Sequence, residues 1–306
     1  MSQRVVGWSG WAMAPTRIPL ITILMPVYNA AGYIAYAARS VMAGDHIDLE
    51  LLVVDDGSTD AGMDELAALG DPRIRVVRQP NSGLIAALNT GLDEARGAYL
   101  ARMDADDLSV PGRLTAQVRW LEERPTAVVC GTDYEMFGTM TGRVRMPRGD
   151  RACRERLLLA SCHCGASVMM RRKVLARNGL RFDPKYPHAE DYEFFSRLAE
   201  HGELGNLQMV GYRYRTHSAQ VSARHAEIQR ATHLRVAAAY AERTGRRPVS
   251  EATIRQLMWP APAPVIRTTM STAAAAAAAL RRRPGMETAR FGGRRVVEAT
   301  LNAVKD

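Results

Sequence analysis

The chain has 306 residues, with 41 Lys and Arg against 32 Asp and Glu, and a net charge of +9 at pH 7. This length allows a sizeable core, and no run of about 18 consecutive apolar residues marks a membrane-spanning helix. Its four cysteines, Cys130, Cys153, Cys162 and Cys164, are too few for a disulfide framework and indicate a reducing compartment. We therefore expect a cytoplasmic protein with one large α/β domain and an appendage.

The positive charge is concentrated at the C-terminal end. Residues 231–306 contain 13 Lys and Arg against 5 Asp and Glu, whereas residues 1–230 are close to neutral. A basic segment can bind nucleic acid, anionic lipid head groups or acidic substrates. Because it lacks interleaved aromatic residues, we expect no nucleic-acid partner, and we leave peripheral membrane association and a homo-oligomer open. We place domain boundaries near residue 230 and after an N-terminal extension at 1–17.

Three apolar runs, each followed by a polar turn and a helical pattern, open the main domain. We predict strands at Leu20–Met25, Leu49–Val54 and Ile74–Val77, and helices at Ala30–Met42, from near Ala61, and from after Gly83 to about Arg96. Repeated strand, turn and helix predict βαβ units and a mostly parallel sheet flanked by helices. The polar turns all follow strands, so they are expected to meet at one edge of that sheet, where open α/β sheets bind ligands.

A fourth strand, in the stretch YLARMDADD at Tyr99–Asp107, ends on three carboxylates. Alternate residues of an extended chain point the same way, so we expect Asp104 and Asp106 to face one ion and Asp107 to face elsewhere. Oxygen ligands of this kind suit Mg²⁺ or Mn²⁺, which take the rest of their shell from waters and substrate phosphates. A surface acidic loop, or a cap for a helix from Pro111, would explain the same Asp-x-Asp pattern.

The other turns offer groups that suit a nucleotide. The turn after the first strand presents candidate base or ribose contacts: Pro26, Val27, Tyr28 and Asn29. Asp56 can accept a hydrogen bond from the imide N–H of a uracil, and Gly83 lets the backbone come close to a ligand. Arg102 can meet a phosphate or pair with the neighbouring acids. Ordinary turn chemistry explains each of these residues when it is taken alone.

Two later segments carry further candidates. Glu190 and Asp191, in HAEDYEFF, open an amphipathic helix, where a carboxylate is held in place although the helix dipole lowers its basicity. Cys162-His163-Cys164 suggests zinc, but the one-residue spacing is tight and no matching pair lies nearby in the sequence, which favours structural thiols. His217, in YRTHSAQVS, is a lone histidine that fits a packing role as well as a ligand role.

Taken together, PVYN, DDGSTD, NSGLIAALNTG and DADD resemble the inverting nucleotide-sugar glycosyltransferases of family 2. The stretch from SVMMRRK to YRYRTHSAQVS resembles the acceptor half of bacterial members, so the resemblance covers about Pro19 to Ala223. It implies a GT-A fold at 18–230, a divalent ion, a nucleotide-sugar half at about 18–110 and an acceptor half at about 111–230. The Q-x-x-R-W motif of processive synthases is missing, which favours a single transfer.

The resemblance also implies roles for single residues. Asp191 would be the base that deprotonates the acceptor hydroxyl, and Glu190 a neighbour that contacts the acceptor or donor sugar. Asp104 and Asp106 would bind the metal and diphosphate, and His217 would be a further metal ligand or a diphosphate contact. The expected activity is transfer from a nucleotide sugar, with UDP favoured by Asp56, to a saccharide or lipid-linked acceptor in bacterial surface polysaccharide biosynthesis.

Two other functions are weighed against this one. A non-catalytic nucleotide-sugar-binding domain is disfavoured because the metal acids and the base are all present. A sugar-nucleotide pyrophosphorylase is expected to carry a basic, Gly-rich loop after its first strand, and here PVYNAAGY has no basic residue before Arg39.

Beyond about Ala223 the resemblance ends. We predict helices at His225–Arg243 and up to Trp259, then a Pro-rich linker, then an Ala- and Arg-rich helix at Thr272–Arg283. The last helix could lie on an anionic membrane, dock on the catalytic domain or contact a second copy.

Overall fold

The computed structural model describes residues 20–44, 48–217 and 225–259. The strands are β1 (Ile21–Val27), β2 (Leu49–Asp55), β3 (Ile74–Arg78), β4 (Tyr99–Arg102), β5 (Leu108–Ser109), β6 (Ala127–Gly138), β7 (Gly142–Val144), β8 (Met169–Arg171) and β9 (Glu203–Thr216). The helices are α1 (Ile34–Met42), α2 (Gly62–Ala67), α3 (Leu84–Glu94), α4 (Arg113–Glu122), α5 (Asp150–Arg156), α6 (Arg172–Arg177), α7 (Glu190–Leu198), α8 (Ala226–Arg243) and α9 (Glu251–Met258). A 3₁₀ turn at Gly165–Ser167 precedes β8.

Within these ranges the strands form one sheet in the order β3-β2-β1-β4-β8-β6-β9-β5, and β7 pairs with β6. The first four are parallel neighbours joined by helical crossovers, as the βαβ pattern predicts. Strand β8 runs antiparallel to β4 and β6 because the chain enters it from the edge where the parallel strands end. The α/β sheet flanked by helices is therefore confirmed, and its second half is mixed rather than parallel.

The sheet is covered on both faces. Side chains of β1 alternate between the two sides, so Ile23 belongs to the buried cluster on the face that carries α1 and α4, and Leu24 to the cluster on the face that carries α3 and α7. Burial on both faces explains why these strands read as continuous apolar runs instead of alternating patterns.

The C-terminal helices α8 and α9 join the same core. Val236 and Tyr240 of α8 and Ile254 of α9 are buried against the face that carries α7. Helix α8 runs without a break through residue 230, where the change in charge predicts a domain boundary, and that boundary stays a prediction. The predicted extension at 1–17 and the predicted helix at Thr272–Arg283 lie outside the described residues. None of the helices in the described ranges is long and apolar enough to cross a bilayer.

The first helix starts four residues later than its sequence pattern predicts. Asn29 (φ 52°) and Gly32 (φ 80°) adopt left-handed conformations, which a continuous helix from Ala30 cannot contain. The intervening amides are satisfied from α2 and its approach, with Asp60 accepting from Ala31 N at 2.8 Å and Glu65 from Gly32 N at 2.9 Å. These hydrogen bonds hold the residues between β1 and α1 in a non-helical turn, beside the edge of the sheet where β1 and β2 end.

Candidate active site

The three acids after β4 lie on a turn, not on an extended strand. The backbone N–H of Asp107 faces the carbonyl of Asp104 at 3.4 Å, so the alternation expected of an extended chain does not apply here. The predicted division of roles nevertheless matches the exposure. The side chains of Asp104 and Asp106 are 31% and 33% exposed, whereas Asp107 is 1% exposed. Two carboxylates of this turn face solvent and the third faces the protein.

Hydrogen bonds from strand β9 hold this turn, and His217, the residue after the strand, adds a fourth polar side chain beside the three acids. Its Tyr212 hydroxyl accepts from Asp104 N at 3.0 Å, and Arg215 donates its backbone N–H to Asp107 at 2.7 Å and its side-chain Nε to the Asp106 carbonyl at 2.7 Å. Just beyond the strand, His217 Nε2 lies 3.1 Å from Asp106 Oδ2. Sequence analysis assigned no role to Tyr212 or Arg215, although both lie in the quoted YRYRTHSAQVS stretch.

Asp106 and His217 form a pair that fits a divalent cation. A carboxylate oxygen and an imidazole nitrogen at this separation are suitable ligands for Mn²⁺, with diphosphate oxygens and waters completing the shell. Asp104 does not join them in a tight three-ligand cluster among the described residues. Its Oδ1 instead accepts from Arg102 Nη2 at 3.0 Å. Burial and the neighbouring acids raise the pKa of Asp107 to about 8, which fits a structural role better than a ligand role.

Arg102 joins the acidic turn to the acids of α7. Its guanidinium is 6% exposed, and it lies in the field of Asp104, Glu190 and Asp191, whose charges raise its pKa against the effect of burial. A Cβ added at Gly165 would lie 2.6 Å from Asp191 Oδ2 and 2.7 Å from Arg102 Nη1. Only a residue without a side chain fits at position 165 between Arg102 and Asp191. The sequence alone gave no indication of this role.

Asp191 has the environment of a general base. It lies in the first turn of α7, where its Oδ1 accepts from Tyr192 N at 2.6 Å. Burial raises its pKa, while Arg102 and backbone hydrogen bonds oppose that shift. Burial and the charge of Asp191 raise the pKa of Glu190 to about 7. A carboxylate that is more basic than usual and held by a positive charge is suited to taking a proton.

The predicted nucleotide contacts meet at the neighbouring strand ends. Asp56 is buried, and its oxygens accept from Gln79 Nε2 at 2.7 Å, Ser82 N at 2.9 Å and Gly83 N at 2.8 Å. Gly83 has φ 87°, so a positive φ explains this glycine directly. The role of Asp56 toward uracil stays a prediction, and the observed bonds give Asp56 a definite task in tying β2 to the loop after β3.

The first turn of the predicted nucleotide site divides into buried and exposed parts. Pro26 and Val27 are buried in the last two positions of β1, while Tyr28 is 53% exposed. Asn29 accepts at its Oδ1 from Thr59 N at 2.8 Å, and so holds the DDGSTD loop. Tyr28 is the side chain of this group that presents a large open surface toward solvent.

Comparisons with known proteins agree with this geometry. The profile of glycosyl transferase family 2 matches residues 22–179, which is half of the chain. The chain belongs to glycosyltransferase family 2. An uncharacterized glycosyltransferase of Haemophilus influenzae is 32% identical over 219 residues, covering 67% of this chain and 68% of the relative. The chondroitin synthase of Pasteurella multocida is 28% identical over 220 residues, covering 71% of this chain but 23% of the synthase.

Solved structures show the same fold for this family 2 glycosyltransferase. The S. aureus TarS 1–349 structure in complex with UDP superposes with a TM-score of 0.62 at 16% identity, covering 93% of this chain and 90% of TarS. The mannosyltransferase PcManGT from Pyrobaculum calidifontis, in complex with GDP-Man and Mn²⁺, gives a TM-score of 0.58 at 22% identity, covering 97% of this chain and 90% of the neighbour. The predicted GT-A fold is confirmed.

The packing of Gly165 against Asp191, the candidate base, gives a testable prediction. In Gly165→Ala the new methyl group meets Asp191 and Arg102, so one of them must shift. Displacements near 1 Å can cost about 100-fold in rate, and we expect kcat to fall at least about tenfold while affinity for the nucleotide is kept. Gly149→Ala is the matched control because a methyl group there meets nothing within 4 Å. An unchanged kcat in Gly165→Ala would show that the positions of Asp191 and Arg102 beside residue 165 do not affect the rate of transfer.

The pH dependence of the glycosyltransferase should reflect the Glu190–Asp191 pair. Because the base must be deprotonated, kcat/KM is expected to fall as the pH drops and Asp191 gains its proton. Burial and the charge of Asp191 raise the pKa of Glu190 to about 7, so Glu190 is already neutral at the lower pH at which Asp191 gains its proton. Glu190→Gln is neutral at every pH, so the acidic limb should stay in place, while any change of rate near pH 7 that follows Glu190 should disappear. An acidic limb that moves in Glu190→Gln would show that Glu190 is charged while Asp191 titrates.

The zinc interpretation of Cys162-His163-Cys164 is changed by the fold. Cys153 is brought to Cys162 and His163, with ligand atoms within 4.8 Å of one another, whereas Cys164 lies outside that group. The fold thus brings one further thiol to the motif, although no matching pair of Cys or His lies nearby in the sequence. Burial nevertheless raises the pKa of the Cys162 thiol and lowers that of His163 to about 4. These side chains are packed as neutral groups, which agrees with the structural role.

Proposed function

We propose that the chain is a metal-dependent inverting glycosyltransferase. It would move a sugar from a nucleoside-diphosphate sugar, a UDP-sugar in the first place, to a hydroxyl of a saccharide or lipid-linked acceptor. The observation that carries this proposal is the arrangement around Arg102. Its Nη2 donates to Asp104 of the turn that carries Asp106, and its Nη1 lies beside Gly165 and Asp191. The proposed cation-binding edge and the proposed base would then lie on the two sides of one guanidinium.

Each residue then has a chemical task. Asp106 and His217 would hold the divalent ion, which supplies Lewis-acid neutralisation of the leaving diphosphate when it is bound. Asp191 would take the proton of the acceptor hydroxyl as the oxygen attacks the anomeric carbon. The positive charge of Arg102 lowers the pKa of Asp191 and so favours its ionised form. Attack on the face opposite the leaving group is a single displacement, so the configuration at the anomeric carbon inverts.

The choice of donor and acceptor draws on separate observations. Asp56 is the basis for proposing uracil, and the TarS structure that shares this fold was solved with UDP. PcManGT was solved with GDP-Man, so GDP-sugars belong in the test. The similarity to a chondroitin synthase supports a saccharide acceptor and a role in bacterial surface polysaccharide biosynthesis. A lipid-linked acceptor would be met from the cytoplasmic side, at the membrane surface.

The test is transfer by the full chain with Mn²⁺. UDP-, GDP- and dTDP-sugars are offered with saccharide and lipid-linked acceptors, and the linkage formed is determined by NMR. We expect one donor class to be used, with a product of anomeric configuration opposite to that of the donor. Retention of configuration would exclude Asp191 as the base of a single displacement. Transfer that continues undiminished in chelator would exclude the metal.

A further inference from the structure

A cavity of about 280 Å³ opens beside the proposed base. Its lining includes Asp191, Tyr134 of β6 and His163, and part of its wall comes from the C-terminal helices through Gln229 and Trp259. The volume equals that of about nine waters, which is room for a single sugar ring. The family profile ends at residue 179, so the helical wall is contributed by a part of the chain beyond it.

His163 lines this cavity, and its neighbours determine which of its ring nitrogens carries the proton. The Asn206 amide donates from Nδ2 to the carbonyls of Pro147, at 2.6 Å, and Cys162, at 3.0 Å. Those two acceptors fix the orientation of the amide, so Asn206 Oδ1, 2.8 Å from His163 Nδ1, must accept. His163 therefore carries its proton on Nδ1, and Nε2 is left as a bare acceptor.

That acceptor atom is buried and unmatched. His163 is 2% exposed, and its Nε2 has no hydrogen-bond partner among the described residues. Buried polar atoms are normally satisfied, so this atom, in a residue that lines the cavity, calls for a donor such as an ordered water or a ligand hydroxyl. Gly131 is required for the arrangement, because a Cβ there would lie 2.2 Å from Asn206 Oδ1 and 2.9 Å from His163 Nδ1. The group that meets Nε2 must be a donor, as a sugar hydroxyl is.

The helical wall is fixed to the loop that leads to the base. Gln229 of α8 donates to the carbonyl of His188 at 3.0 Å, and the His188 ring stacks on His225 with centroids 4.6 Å apart. His188 has φ 63°, an uncommon conformation for a residue other than glycine. These contacts hold the loop before Glu190 against α8. Trp259, at the end of α9, supplies a broad apolar surface with a polar N–H.

We propose that this cavity is the subsite for the acceptor sugar, in which His163 Nε2 accepts from a ring hydroxyl and Trp259 packs against the ring. This inference rests on the proposed function, since the cavity adjoins the atom that would deprotonate the acceptor. The C-terminal helices thereby take part in choosing the acceptor. An acceptor with sugar hydroxyls and an apolar ring face fits this lining of one aromatic wall and one bare acceptor atom.

The experiment measures binding of methyl glycosides of glucose, galactose and N-acetylglucosamine by saturation-transfer NMR, with UDP and Mn²⁺ present. We expect at least one glycoside to bind the full chain. His163→Leu and Trp259→Leu should each weaken it at least tenfold, while His163→Gln, whose Oε1 can replace the acceptor atom, should bind more tightly than His163→Leu. Ile228→Ala is the control, because this side chain is 50% exposed on α8.

Three results would overturn the proposal. They are no binding of any glycoside, unchanged binding in both leucine variants, or equal loss in His163→Gln and His163→Leu, which would reduce His163 to packing. Affinity for UDP, measured in the same samples, distinguishes a failed subsite from a failed donor site. A chain that binds no nucleoside diphosphate contradicts the proposed function itself. Circular dichroism identifies a variant that does not fold. If the His163 variants do not fold, glycoside binding by Trp259→Leu decides whether the cavity binds the acceptor sugar.

Discussion

Asp191→Asn is expected to lower kcat by about 100- to 10,000-fold, the range that a positioned general base contributes. Asparagine keeps the size of the side chain and can still accept from Tyr192 N, so the local structure should be retained. What it loses is the capacity to take a proton. The measurement is the steady-state rate of sugar transfer, with the affinity for UDP determined in parallel.

The matched control for this change is Glu200→Gln. Glu200 lies just after α7 and makes an exposed ion pair with Arg243, which contributes little to stability. We expect its rate to equal that of the unchanged chain. If Asp191→Asn retains more than about a tenth of the rate, another group must act as the base, and Glu190 would be the next candidate.

The second large effect is expected at the cation-binding edge. The Asp106 carboxylate and the His217 imidazole lie 3.1 Å apart; Asp106→Asn replaces the carboxylate by a neutral amide, and His217→Ala removes the imidazole. Neutralisation of the leaving diphosphate is worth several kcal/mol in metal-assisted reactions, so either change should lower the rate by about two orders of magnitude or more. The measurement is the initial rate as a function of Mn²⁺ concentration. Half-saturation should move to higher Mn²⁺ in both variants.

Asp93→Asn is the control for a lost surface carboxylate. Asp93 pairs with Arg181 on an exposed part of the chain, and its loss should leave the Mn²⁺ dependence unchanged. An unchanged Mn²⁺ dependence in Asp106→Asn would remove this residue from the metal site. An effect in Asp106→Asn but not in His217→Ala would exclude His217 as a ligand and favour a packing role, of which its stacking on Tyr33, with ring centroids 5.7 Å apart, is one part.

Much of the sheet could be predicted because its determinants are local. Strands β1, β2 and β4 are buried along their whole length, so their sequences are mostly apolar and are bounded by polar turns. Helix α7 was predicted from an amphipathic pattern, and Phe194 and Phe195 are buried as expected. In each case the information lies within a window of about ten residues, in which hydrophobic pattern and turn chemistry agree.

The site was less predictable because its geometry depends on distant pairing. Asp106 and His217 are 111 positions apart, and the short pairing of Leu108 with Arg213 helps to set their alignment. Nothing local marks a two-residue strand such as β5. A resemblance to known proteins was enough to propose Asp106 and His217 as site residues. That the two side chains lie next to each other depends on the register of β9.

Gly165 and His163 were hidden for a related reason. The significance of Gly165 comes from Arg102 and Asp191, which approach it from other elements. That of His163 comes from Asn206, whose amide decides which ring nitrogen carries the proton. In sequence both lie within a Cys- and Gly-containing stretch that suggested at most a tight metal motif. When side chains from different helices, strands and loops come together only in the folded chain, no periodic pattern in the sequence indicates their contacts.

Calorimetric titration of UDP into the full chain, with Mn²⁺ and with chelator and repeated on Asp106→Asn, tests the proposed donor site most directly. We expect micromolar binding that requires the metal and is lost in the variant, because the diphosphate would be held through the cation at the Asp106–His217 edge. Binding of GDP or dTDP in place of UDP would contradict only the assignment of uracil to Asp56. Absence of binding by every nucleoside diphosphate, or metal-independent binding equal in the variant, would contradict the donor site described above.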